Sequence, residues 1–114
     1  MDSWNLLELD TPDGSRSPIV LHSAETGRAV LVALHPGQAL GDHQVKETAF
    51  VAVLDGFARV EAGGRASDAA AGCLFRFDPD ERHSISTERG ARLLLFLAPW
   101  PGEGHYRGQE RVVG

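Results

Sequence analysis

Residues 41–56 read GDHQVKETAFVAVLDG. One histidine opens the stretch, alternating apolar residues follow, and Asp55-Gly56 closes it. Side chains of an extended chain alternate between two faces, so His43, Val45, Glu47, Ala49, Val51 and Val53 share one parity. If Val51 and Val53 face a barrel interior, His43 faces it too. Glu47 is the only carboxylate of that parity in the strand. Asp-Gly is a strong hairpin signal, so Phe57 to Glu61 is expected to return from a turn at Asp55-Gly56.

Runs of the same kind recur on either side. PIVLHS (18–23) ends at Glu25-Thr26-Gly27, and RAVLVAL (28–34) is closed by His35-Pro36-Gly37. FARVE (57–61) stops at Gly63-Gly64, and GCLFRF (72–77) meets Asp78-Pro79-Asp80. His83 to Thr87 follows, and ARLLLFLA (91–98) lies between Gly90 and Pro99. These are strand lengths, and apart from a first turn at Ser3 to Leu9 no long segment has a helical period. Short strands separated by Gly and Pro turns predict an all-β sandwich or barrel. RAVLVAL and LLLFLA are apolar on both faces, which requires a core on one side and a second sheet or another subunit on the other.

The chain's 114 residues suit one domain, with residues 18–98 as its body. Residues 1–17 form an N-terminal accessory segment and 99–114 a Pro- and Gly-rich tail, with Trp4 and Trp100 packing these ends. The net charge is −5 and basic residues are scattered, which excludes nucleic acid as the expected partner. No run reaches the length of a membrane span, and the acidic start MDSWNLLELD is unlike a secretory leader. Cys73 stands alone, so no intrachain disulfide forms. It is expected as a small buried core side chain in a cytoplasmic protein.

A second histidine, His83, follows the turn Asp80-Glu81-Arg82 at the start of another strand. Two imidazoles and one carboxylate on one face are a common ligand set for non-haem iron and similar centres. The stretches GDHQVKETAFVAVLDG and GCLFRFDPDERH together resemble the two motifs of the cupin superfamily, over residues 28–98. The resemblance implies a double-stranded β-helix, or jelly-roll barrel, that pairs as a homodimer. Counting back from Gly56, it places the first family metal ligand on His43 and the last on His83. The two between fall on Val45 and Ala49, which have no lone pairs to coordinate an ion. Asp80 stands where the second motif has a turn glycine, and aspartate also tolerates that geometry.

The expected ligand pocket is therefore lined by His43, Val45, Glu47, Ala49, Arg76 and His83. Two functions follow from it. The first is a small-molecule-binding barrel with a degenerate, metal-free site. The second is an oxygenase- or isomerase-type enzyme in which His43, His83 and Glu47 hold iron, manganese, nickel or zinc. Arg76, between two phenylalanines, is expected in a covered strand, where its charge needs Asp78 or Glu81, or a ligand carboxylate, as partner. His35 is expected as a solvated turn residue, His22 is undecided by periodicity, and His105 belongs to the tail.

Overall fold

The computed structural model describes residues 1–11 and 18–99, without the side chains of Asp42 and His43. Eight strands follow in chain order: β1 (Ile19–Ala24), β2 (Gly27–Leu34), β3 (Ala39–His43), β4 (Thr48–Ala62), β5 (Arg65–Ala70), β6 (Leu74–Phe77), β7 (His83–Ser86) and β8 (Ala91–Ala98). All pairings are antiparallel. One sheet runs β1-β2-β8-β4-β6, the other β3-β7-β4-β5, and the long β4 belongs to both.

How one strand serves two sheets is written at Asp55-Gly56. The expected hairpin is not there. β4 runs straight through, and its register against β8 shifts between Val53 and Asp55, the signature of a bulge. Gly56 has a φ of 80°, and a Cβ on it would collide with the carbonyl oxygen of Gly90. The dipeptide thus supplies the left-handed backbone that a turn would use, but puts it into a kink. Inward parity changes with it: Ala49, Val51 and Val53 are buried before the bulge, Ala58 and Val60 after it. The hairpin falls instead at Gly63-Gly64, both at positive φ between the paired Ala62 and Arg65, as a type I′ turn requires.

Between the sheets lies one apolar cluster that includes Val30, Val32, Leu34, Val51, Val60, Ile85 and Leu93. Burial of this kind contributes roughly 1.5–3 kcal/mol per large aliphatic side chain. On the outer face of the first sheet, Arg92 donates from its two terminal nitrogens to the carbonyl oxygens of Leu6 and Leu9, at 2.6 and 2.8 Å. It pins a single N-terminal turn in which the amides of Glu8 and Leu9 both donate to the Asn5 carbonyl. Part of the doubly apolar face expected for β2 and β8 is therefore met by the chain itself, and Leu31 of β2 is fully buried. The same face leaves Phe96 at 41% and Leu74 at 64% exposure. Trp4 is exposed, and Trp100 and the rest of the tail lie outside the described residues.

Cys73 is exposed, contrary to expectation. It sits in the turn before β6, where its amide donates to the Ala70 carbonyl and its own carbonyl accepts from the Val53 amide. The backbone is what this position contributes. No helix among the described residues is long and apolar enough to cross a membrane.

Candidate functional site

His43 ends β3 and His83 opens β7, and the two are register partners across that strand pair. The fold therefore brings both histidine positions to one end of the barrel, although the ring of His43 is not among the described side chains. His83 also pairs with Ala62 at the far end of β4. Its imidazole lies 4.0 Å from the Phe77 ring, 7° from parallel, and Phe75 stacks in turn on Phe77 at 6.5 Å. The Nδ1 of His83 lies 3.1 Å from the Glu81 carbonyl oxygen. A carbonyl only accepts, so Nδ1 carries the proton, and in the neutral ring Nε2 is the acceptor. That is the tautomer with which a histidine meets a metal or a ligand N–H.

The turn that delivers His83 is built by Asp78-Pro79-Asp80-Glu81. Pro79 occupies the second position, Asp80 has a φ of 68°, and the Glu81 amide donates to the Asp78 carbonyl at 3.1 Å. This is the arrangement of a type II turn, with aspartate in the place of glycine. The Asp80 amide donates to the Val45 carbonyl at 2.7 Å, tying the turn to the connection between β3 and β4.

That connection carries Glu47. Parity holds through it: Val45, Glu47 and Ala49 are buried in succession on the inward side. Glu47 is only 2% exposed, and neither carboxyl oxygen has a hydrogen-bond partner. Burial pushes its carboxyl up from the ordinary carboxylate range, while its own backbone amide and the charge of Lys46 pull weakly the other way. Val45 and Ala49 belong to the apolar cluster and form wall rather than ligands.

The row across the first sheet at this level runs Phe77, Ala49, Leu97 and Arg28 by register. Arg28 thus stands on the inward side of β2, half-buried, a position that sequence reasoning missed. The signal was present, because Arg28 shares parity with Val30, Val32 and Leu34. Arg76 lies elsewhere. Its register partner Phe50 is on the outer face, its side chain is exposed, and it pairs with Asp78. The ion pair expected of it is present, but the covered strand and the contact with the pocket are not. A four-residue edge strand has too little sheet around it to bury its outer side. His22 is exposed, and His35 is half-buried in its turn, where its amide donates to the Gln38 side chain. His105 lies outside the described residues. Among those described, no group of three or more His, Cys, Asp or Glu side chains is placed to hold a metal ion.

An open cleft of about 410 Å³ lies on the second sheet, beside Phe57, Arg59, Asp68 and Arg89. The Arg89 guanidinium sits 5.1 Å over the Phe57 ring, and Arg59 is engaged by Glu61 and Asp68 at 3.5 and 3.3 Å.

The family described as the AraC-like ligand binding domain matches residues 26–98. No curated protein matches the chain in sequence. Among solved structures, a protein from Thermus thermophilus is 26% identical with a TM-score of 0.78, over 87% of this chain and 98% of that one. An RmlC-like cupin protein from Desulfovibrio desulfuricans is 23% identical with a TM-score of 0.78, over 87% and 97%. A cupin superfamily protein from Desulfitobacterium hafniense superposes with a TM-score of 0.75 at 11% identity, over 82% and 85%.

Proposed function

Because the chain belongs to the AraC-like ligand-binding domain family and has the cupin fold, we propose that it is a non-catalytic module binding a small organic molecule at the end of the barrel where His43 and His83 meet. The observation that carries this reading is a contrast within one wall. Val45 and Ala49, where the better-equipped motif has metal ligands, are packed into the apolar cluster. Beside this wall the inward-facing His83, Phe75 and Leu95 are only half-buried. An apolar wall with a few convergent polar groups is the usual make-up of a small-molecule site.

Two further parts of the reading concern metal and assembly. Glu47, His83 and His43 offer one oxygen and two nitrogen donors, and the buried, unpartnered carboxyl of Glu47 favours a second reading in which they hold iron, manganese, nickel or zinc. Such an ion would polarise a bound substrate as a Lewis acid. For assembly, a second copy of the chain covers the outer face at Phe96 and Leu74, whose exposure is unusual for large apolar side chains on one sheet. Light scattering that finds a monomer at micromolar concentration removes the dimer.

Native mass spectrometry and metal analysis of protein purified without chelator test the site. A retained or added small organic molecule that binds wild type and is lost in His83→Ala, without stoichiometric metal, supports the binding module. Stoichiometric metal that vanishes in His43→Ala and Glu47→Gln overturns it in favour of the second reading.

A further inference from the structure

Glu47 is a feature of the mouth that the binding reading leaves without a task. A carboxyl group 2% exposed and without a hydrogen-bond partner is costly in either protonation state, and more so when charged. Nothing in the apolar cluster around Val45 and Ala49 offsets that cost. A ligand could.

What kind of ligand follows from its surroundings. Phe75, Phe77 and His83 form a ladder of near-parallel rings on the same inward side. Aromatic faces beside a buried acid attract an organic cation, through the ring quadrupole and through charge pairing at low dielectric. We propose, on the premise that this end of the barrel is a small-molecule site, that its ligand is an organic ammonium whose charged head pairs with the Glu47 carboxylate and whose body lies against the half-buried Phe75 and His83, the two ends of the ring stack.

Binding of this kind is a non-covalent pairing of charges, and no bond in the ligand changes. The other charged or titratable residues on the elements around Glu47 are Lys46 beside it, Arg28 on β2, Asp80 and Glu81 on the turn before β7, His83 on β7 and the His43 position on β3. Arg28 opposes a cation, but it stands two strands from Ala49, about 10 Å by strand spacing, and does not hydrogen-bond Glu47. The chain's overall charge of −5 favours the approach of a cation.

The test titrates the full chain with three probes of nearly one shape: benzylammonium, benzyl alcohol and benzoate. Isothermal calorimetry gives the three affinities. The expected result is a preference for benzylammonium of at least about tenfold over the alcohol. Glu47→Gln, close in shape and uncharged, keeps the fold by circular dichroism and loses the preference. Benzyl alcohol or benzoate bound as tightly as the ammonium overturns the inference and leaves the binding module standing. So does a Glu47→Gln protein that keeps the preference. If no probe of any charge binds at millimolar concentration, both fall.

Discussion

At the closed end of the interior, Val32, Val53, Ala58 and Leu93 are between 0 and 3% exposed and belong to the apolar cluster. At the mouth, the same face of β4 that presents Val53 continues back to Glu47, equally buried yet polar and unpartnered. Arg28 and His83 share that end, half-buried. One alternation therefore runs the length of the wall while the chemistry along it changes from hydrocarbon packing to polar groups. Burial alone does not separate core from site. What separates them is whether the buried group's needs are met inside the protein.

Substitutions at the two ends should behave differently, and the closed end should give the largest losses. Gly56→Ala places a methyl against the Gly90 carbonyl at a φ that disfavours it, with no flexible side chain to yield. It is expected to cost more than about 4 kcal/mol, or to prevent folding outright, in denaturant titration. A Gly56→Ala protein as stable as wild type would mean that β4 does not kink there. Leu93→Ala opens a cavity in the dry end and is expected to cost about 3 kcal/mol in the same measurement.

At the mouth, Glu47→Gln should lower stability little and at higher pH should raise it. The sign follows from the raised carboxyl. Folded Glu47 holds its proton to higher pH than the unfolded chain does, so its contribution is fully present below the unfolded value. It is lost as pH climbs through the folded value. Wild type should thus lose stability across that window, and Glu47→Gln should lose less. Identical pH–stability curves for the two proteins would place Glu47 in water and erase the contrast between the ends.

Much of the barrel is readable without coordinates, because Ala49, Val51 and Val53 or Leu93, Leu95 and Leu97 announce a wall by simple alternation. Two strands are not announced. β5, RASDAA, is exposed at all but one position, and β3, ALGDH, has no repeated apolar parity, so neither carries the signal that burial imposes. Asp55-Gly56 misleads for a different reason: a kink and a turn need the same left-handed glycine, and only the strand beyond tells them apart. At the site, the pairing of the His43 and His83 positions and the inward parity of Glu47 follow from counting residues. Arg28 was open to the same count. Its charge drew attention away from its parity. Cys73 shows the limit of composition, since a residue that usually packs inside is held at the surface by what its backbone does.

Arg92 grips the N-terminal turn by two main-chain oxygens and by no side chain. A clasp of that kind reads shape and is indifferent to spelling, so the exposed Leu7 and Glu8 are free to vary as long as the turn's path survives, while the half-buried Leu6 and Leu9 still answer to the sheet beneath them. The guanidinium is less replaceable: a planar fork spans both oxygens at once, where a lysine's single ammonium would have to choose between them.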